Sequence, residues 1–504
     1  MKTGESSTIS LVEPVTEKKF HLLLAGGAAL VAASSMRFGV AELGWVAWAP
    51  FLVAMGARGS RRDHGWLFFY ATLAMVGAIG KIVTPPITWP MMLAFVIPSS
   101  LVMFGSLAVA GWVIRRLGAV WGIYFFPAIT VTVEWIFYTF TPQSTWGAAG
   151  LTQVDNLPLV QFASIAGLAG LSFLVALGSS VTAAVAIRGF GDMKRHVALF
   201  AMLFIAAQVY GQIRVVNPAP GKTIRVAGVS APLGVEKLPQ ILRGEYDTRQ
   251  ADNELFARTA RAADLGARVV VWNEAATIID KSDEDSFVAR GRELARERGI
   301  DIVMAIGVII SRDPFKWQNR YHWIGKDGAV ADVYDKRHPT PGEGPIPGLA
   351  HPSVVDVDGA KLSGAICYDY DFPEIALNNA WAGAGLALIP SSDWKGIDPV
   401  HPKMARLQGV AAGISTFRPV RAATTIAADQ YGRIIASMQY EGPNKVMVAD
   451  VPVGQVPTLY AATGDILPWG TALFCLGGII AATMRRDAPK VESRADNPPL
   501  ARAA

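Results

Sequence analysis

Between Phe20 and about Val215 the chain runs through seven apolar stretches, near 20–36, 40–57, 65–82, 88–114, 119–139, 158–187 and 195–213. Each is long enough for a hydrocarbon core, which needs roughly 20 helical residues. The breaks between them include "RGSRRDHG", "TPPITWP", "TPQSTWG" and "RGFGDMKRH". An eighth stretch, "ILPWGTALFCLGGIIAATM", covers 466–484. No small-residue cleavage site follows the first stretch, which therefore reads as an uncleaved anchor. From 216 to 460 the pattern changes. Short strand-like runs ("TIRVAGVSA", "ARVVVWNE", "IDIVMAIGVII") alternate with helical ones ("GEYDTRQADNELFARTARAADLG", "EDSFVARGRELARERG"), and "RYHWIGKDGAVADVYDK" predicts a hairpin turning at Lys326–Gly328. Strands buried under helices predict a layered α/β domain. The expected organisation is thus an N-terminal segment 1–19, a seven-helix membrane domain 20–215, an α/β domain 216–460, an eighth transmembrane helix 461–485, and a charged tail 486–504 predicted to be disordered.

Charge sets an orientation. The 504 residues carry 46 Lys and Arg against 41 Asp and Glu, a net +5. Lys18 and Lys19, then Arg58, Arg61 and Arg62, then Arg115 and Arg116, then Arg188, Lys194 and Arg195, and finally Arg485 and Arg486 fall on alternate loops. The intervening loops hold little beyond Arg37 and Lys81. Because cytoplasmic loops retain basic residues, both termini are expected in the cytoplasm and the α/β domain outside it. Orientation accounts for the positive charge, and no nucleic-acid partner is expected.

The chain has two cysteines, and Cys475 lies inside the eighth apolar stretch, which leaves Cys367 without a disulfide partner. Cys367 ends an apolar run in "GAICYDYDFPEI"; Glu274 follows another in "VVVWNEAAT"; Lys336 follows a third in "VYDKRHPTPGEG". Taken singly, these are a core thiol and two solvated charges. Together they offer a base, a positive charge for a developing oxyanion and a nucleophile, at the strand ends where α/β domains build sites. There is no G-x-S-x-G elbow, no phosphate-cradling glycine loop and no metal-spaced cluster among the seven histidines, so neither metal nor cofactor is expected.

The three residues, in this order and spacing, resemble the Glu-Lys-Cys triad of the nitrilase, or carbon-nitrogen hydrolase, superfamily, and "ICYDYDFPE" is similar to its nucleophile motif. "PAITVTVEWIFYTFTPQSTWGAAGL", "PLVQFASIAGLAGLSFLVAL" and "TLYAATGDILPW" resemble the membrane region of the apolipoprotein N-acyltransferase family. The resemblance spans about 20–485. It implies an αββα nitrilase-like domain carried by membrane helices in a bacterial inner membrane, with the domain on the periplasmic side. It further implies a two-step acyl transfer: Cys367 takes an acyl chain from a membrane phospholipid as a thioester, then passes it to the α-amine of a lipoprotein's diacylglyceryl-cysteine. Glu274 would be the base and Lys336 the oxyanion partner. Glu343, Tyr368, Asp369 and Trp394 are expected in supporting or substrate-binding roles, with Trp394 also readable as an interfacial anchor and Asp369 as a helix cap. Glu134, inside an expected span, is expected to face the bundle.

Some positions depart from the family pattern. Asp369 stands where the family usually has glutamate, "GVEKLPQ" lacks a tryptophan, and no acidic residue directly precedes Arg418–Pro419. These keep open a membrane-anchored nitrilase-type amidase, or an acyltransferase with another acceptor. A non-catalytic binding protein is the third alternative.

Overall fold

A computed structural model describes residues 15–234, 237–439 and 445–485. Most of the expected N-terminal segment and the tail 486–504 lie outside the described residues. Among the described residues, six helices are long and apolar enough to cross a membrane: Arg61–Ile82, Trp89–Leu117, Ala119–Phe140, Ala163–Arg188, Phe190–Val216 and Ile466–Met484. A count of eight spans is not confirmed, since the first two stretches are not among these six. The first is the helix Glu17–Ser34, whose opening turn holds Glu17, Lys18 and Lys19, so its apolar part is short. The second breaks into Ala41–Gly44 and Ala49–Ala57, with Pro50 at the start of the latter. Ser179 supports the break: its hydroxyl donates to Trp45 O at 3.1 Å and accepts from Trp48 N at 3.3 Å. Non-helical backbone inside a bundle is tolerated where side chains satisfy it in this way.

The α/β part has two sheets. In the seven-stranded sheet the order is Val446–Pro452, Thr223–Val229, Val269–Trp272, Asp301–Arg312, Phe315–Ile324, Val330–Asp335, with Ile278–Asp280 also on Asp301–Arg312. In the six-stranded sheet it is Ile434–Met438, Thr425–Ala428, Ser415–Arg418, Leu386–Leu388, Ala360–Gly364, Val355–Val357. Alternation along the strands makes four layers. Val226, Val269, Val271 and Val303 pack against Leu362, Leu386, Leu388 and Phe417 between the sheets. Their neighbours Ala227, Val270, Trp272 and Ile302 point the other way, against Leu255 of helix Arg249–Asp264 and Phe287 of helix Glu284–Arg298. On the far side of the second sheet, Ala387 and Ile389 meet Ile375 and Ala405 of helices Pro373–Trp381 and Val400–Ala412. The two-residue period of a strand places successive side chains in different cores.

The domain is pressed onto the helices at close range. A Cβ on Gly396 would lie 2.0 Å from Ile82 O at the end of helix Arg61–Ile82, and one on Gly167, where φ is +63°, would lie 2.7 Å from the Tyr460 ring. Backbone approaches this short require glycine.

Candidate active site

Three strand ends converge between the sheets. Trp272 closes the strand Val269–Trp272, and Glu274 follows in a turn where Ala275 has φ +43°. Lys336 follows Val330–Asp335, its N–H donating to Asn319 O at 2.7 Å, so the neighbouring strand fixes its position. Cys367 lies three residues beyond Gly364, at φ +49°, with its N–H donating to Pro390 O at 2.8 Å. A cysteine in left-handed backbone is strained, and such strain is kept where surrounding bonds over-determine it.

Lys336 is 1 % exposed. Its Nζ donates to Glu274 Oε1 and Glu343 Oε2, both at 2.7 Å. Asn319 Nδ2 donates to the same two side chains, at 2.7 Å to Glu274 and 3.0 Å to Glu343. Thr340 N–H completes the hold on Glu343 at 2.9 Å. Burial opposes a charged lysine, yet Glu274 and Glu343 outweigh it and keep the ammonium well above its ordinary pKa. Burial likewise opposes the Glu343 carboxylate, and Lys336 wins, holding it below the usual range.

The thiol of Cys367 is buried and pushed well up, first by desolvation and then by the Glu274 charge, with Lys336 and Arg418 pulling the other way. It rests protonated and needs a base. On its other side Arg418 Nη2 lies 3.9 Å from Sγ, and Asp393 Oδ1 also lies 3.9 Å away. Arg418 grips Asp393 with a fork at 2.8 and 2.9 Å. His401 donates from Nδ1 to Asp393 at 2.8 Å and from Nε2 to Asp371 at 3.0 Å. Burial lowers His401, but Asp371 and Asp393 push it up to about 9, so both ring nitrogens hold protons at neutral pH. Sharing Asp393 brings Arg418 Nη2 within 2.8 Å of His401 Nδ1, a hydrogen bond only when that proton is absent. The paired carboxylates favour the protonated ring.

Among the described residues, ligand atoms of Cys367, Asp393 and His401 lie within 4.8 Å of one another. The group does not fit a cation. The Arg418 guanidinium already occupies Asp393, and the imidazole is held as a cation by two carboxylates.

The sulfur faces a cavity with about 600 Å³ of empty volume, lined by Met36, Ile79, Ile82, Met92 and Phe95 from the membrane helices and their ends, and by Thr340, Tyr368, Ser392 and Trp394 from the domain. A second apolar cavity of about 630 Å³, inside the bundle, shares Ser99 and Trp146 with it and contains Glu134. Glu134 accepts from Ala149 N at 2.8 Å, which satisfies a buried carboxylate where a helix-end amide is free. Trp394 Nε1 donates to Ile82 O at 2.7 Å, and Tyr368 OH donates to Pro142 O at 2.9 Å. Trp146 Nε1 donates to Asp371 at 2.8 Å. The nucleophile turn is thus tied through Tyr368 and Asp371 to the loop that follows helix Ala119–Phe140, and Trp394 ties a neighbouring loop of the domain to the end of helix Arg61–Ile82.

Glu274, Lys336, Glu343 and Cys367 are brought together, and Tyr368 and Trp394 border the cavity. Asp369 is elsewhere: fully buried, it accepts from Tyr334 OH at 2.8 Å, His338 N at 2.6 Å and Ile366 N at 3.1 Å, stapling the nucleophile turn to the lysine strand. Burial raises it to about 6, against the pull of Lys336 and its donors. Asn319, Asp371, Asp393, His401 and Arg418 join the site without having been expected there from the sequence. A usable signal was present for two of them. Asp393 follows the apolar "LALIPSS" and Arg418 closes "ISTF", as Glu274 follows "VVVW".

The family model described as "Apolipoprotein N-acyltransferase N-terminal domain" matches residues 27–181, and that described as "Carbon-nitrogen hydrolase" matches 236–459, a range that holds the whole cluster. Together the two matches cover most of the membrane region and the α/β domain, as the resemblance to the apolipoprotein N-acyltransferase family implies. It is 25 % identical to an apolipoprotein N-acyltransferase of Geobacter metallireducens, covering 92 % of this chain and 95 % of the relative. With that of Rhodopseudomonas palustris it is 28 % identical over 67 % of this chain and 70 % of the relative. Among solved structures, an amidase from Nesterenkonia sp. is similar at 20 % identity and a TM-score of 0.41, covering 50 % of this chain and 97 % of the amidase.

Proposed function

We propose that this membrane enzyme N-acylates lipoproteins in two steps, with a membrane phospholipid as acyl donor and Cys367 as the covalent carrier. The supporting observation is the position of Cys367: a nitrilase-type nucleophile opening onto a cavity walled by Ile79, Ile82, Met92 and Phe95 of two candidate spans. A soluble amidase needs no such wall.

In the first step Glu274 takes the Sγ proton and the sulfur attacks the ester carbonyl. The third N–H of Lys336, left over after its two carboxylate bonds, faces the oxyanion. The C–O bond breaks, Glu274 returns the proton to the alkoxide, and a lysophospholipid leaves. In the second step the α-amine of the lipoprotein's diacylglyceryl-cysteine attacks the thioester, Glu274 receives the amine proton, and the thiolate departs and is reprotonated. Two carboxylates around one lysine have a purpose here. When Glu274 is neutralised by the proton it accepts, Glu343 still holds the ammonium charged and in place. Arg418 gives the thiolate a second positive neighbour. The apolar wall excludes water, which would otherwise hydrolyse the thioester. Tyr368 and Trp394 border the acyl chain's entry.

Lys18, Lys19, Arg58, Arg61, Arg62, Arg115, Arg116, Arg188, Lys194, Arg195 and Arg485 all fall on one side of the spans, which supports a catalytic domain on the extracytoplasmic face of the bacterial inner membrane. The test is direct. Incubation with phospholipid labelled in its acyl chains should put hydroxylamine-labile label on Cys367, and a diacylglyceryl-cysteine peptide should discharge it. Label that the peptide leaves in place would assign a different acceptor, and label independent of Cys367 would end the proposal.

A further inference from the structure

Arg37 and Lys81 are the two basic residues on loops that the orientation leaves otherwise poor in them. Lys81 has a structural use: its Nζ donates to Ala32 O at 2.7 Å and to Ser35 O, which are free carbonyls at the end of helix Glu17–Ser34. Arg37 differs. Its guanidinium carbon lies 4.7 Å from the centre of the exposed Phe38 ring, and its Nε is buried with no hydrogen-bond partner among the described residues. A buried donor left unpaired is costly, and a ligand that accepts from it removes the cost.

Arg37 lines a cavity of about 1000 Å³ empty volume together with Ser34, Ser35, Thr152, Asp155 and Lys403. This cavity neighbours that of Cys367. Met36 lines both, and the same chain segments run from one to the other, Trp146 into Gly147 and Ile397 through Pro399 and Val400 to Lys403. Lys403 pairs with Asp155 at 2.6 Å, but Asp155 is 66 % exposed and the pair is open to solvent screening. Two cations against one carboxylate leave the cavity positive. The cations nearer the sulfur are already matched by acids: Lys336 by Glu274 and Glu343, Arg418 by Asp393, and His401 by Asp371 and Asp393.

We infer that the Arg37–Lys403 cavity binds the phosphate diester of the acyl donor's headgroup while the donor's ester reaches Cys367. The inference rests on the phospholipid donor proposed above. In a glycerophospholipid the phosphate and the acyl esters share one glycerol, so a phosphate site must adjoin the nucleophile's cavity, and the planar fork of arginine suits a phosphate's paired oxygens. Phe38, exposed beside it, lies where a lipid chain would contact the mouth.

The experiment compares single-turnover loading of Cys367, in the full chain in neutral detergent, from phosphatidylglycerol and from diacylglycerol with the same acyl chains. In the unaltered protein phosphatidylglycerol should load faster. In Arg37→Gln/Lys403→Gln that preference should fall about tenfold, the scale of a lost charge-assisted hydrogen bond, through a raised KM for phosphatidylglycerol. Arg37→Lys should recover part of it. An unchanged preference in the double variant overturns the site. So does inhibition of diacylglycerol loading by inorganic phosphate with no preference between the lipids, which would mark a free-phosphate site. No loading from either lipid in the unaltered protein overturns the phospholipid donor itself, and is distinguishable because the preference is then never expressed.

Discussion

Glu343→Gln removes one of the two carboxylates on Lys336 and keeps the side chain's shape. The lysine lies 2.7 Å from each acid and is 1 % exposed, so neither contact is a surface ion pair. While Glu274 is ionised, the variant still has one counter-ion. Once Glu274 accepts the thiol proton, the variant holds a buried ammonium facing no carboxylate. Breaking a buried pair costs about 3–5 kcal/mol. The amide oxygen keeps a hydrogen bond and the Glu343 side chain is 22 % exposed, which brings the loss to about 2–3 kcal/mol. Acylation of Cys367 should therefore slow about 30- to 150-fold, at about 1.4 kcal/mol for each factor of ten. The pH profile should move as well. Lys336 is held above its ordinary pKa by the two acids against the pull of burial, so it keeps its charge until the pH passes that raised value. With one acid gone, burial gains, the lysine loses its proton sooner, and the alkaline limb of the rate should shift to lower pH. Single-turnover transfer of labelled acyl chain from phospholipid, followed across roughly pH 6 to 12 so that the limb above the ordinary lysine value is included, reads both effects. An unchanged rate, or a slower rate with an unmoved alkaline limb, would refute the role assigned to Glu343.

Arg418→Gln leaves Asp393 without its fork beside the sulfur and should cost about 3–5 kcal/mol of stability, seen as a lower melting temperature, whereas a surface arginine such as Arg249 should cost nothing measurable. His401 has its folded pKa raised to about 9. Its stabilisation is complete below the unfolded value near 6.5 and is lost as pH rises through 9, about 3 kcal/mol in all. His401→Asn should flatten that part of the stability profile, and a variant that retains the slope would place it on another group. Asp369→Asn turns an NH2 toward the donors that the carboxylate accepts from. It should destabilise by about 1–3 kcal/mol for each donor left unpaired, measured by thermal unfolding. Gly396→Ala drives a methyl into Ile82 O and should separate domain from helix enough to raise the KM for phospholipid, and unchanged kinetics would show that this contact is dispensable.

The layered α/β class was legible because strand and helix periods are local. "VVVW" and "ARTARAAD" each declare themselves in a few residues, and the charged side of the bundle is a count of Lys and Arg. The second apolar stretch was legible only in part, for a local reason too. It has the length and hydropathy of a span, but only the fold shows that Ser179 from a distant helix accommodates its break. Glu274, Lys336 and Cys367 could be picked out because each interrupts apolar chain at a strand end. Asn319 could not, since it sits in mid-strand with no local peculiarity, and its role comes from reaching two acids that lie 45 and 24 residues away.

By itself the sequence determined which segments are apolar enough to enter lipid, which side carries the basic loops, and which groups offer a base, a cation and a thiol. These are properties of composition and short-range period, and they need no partner to be expressed. Only the tertiary structure decided that Arg418, His401 and two aspartates surround the far side of the sulfur, that Glu343 shares the lysine, and that Arg37 opens into a cavity next to the nucleophile. Electrostatic energy depends on separation in space and on burial, and neither is written in the spacing of residues along a chain.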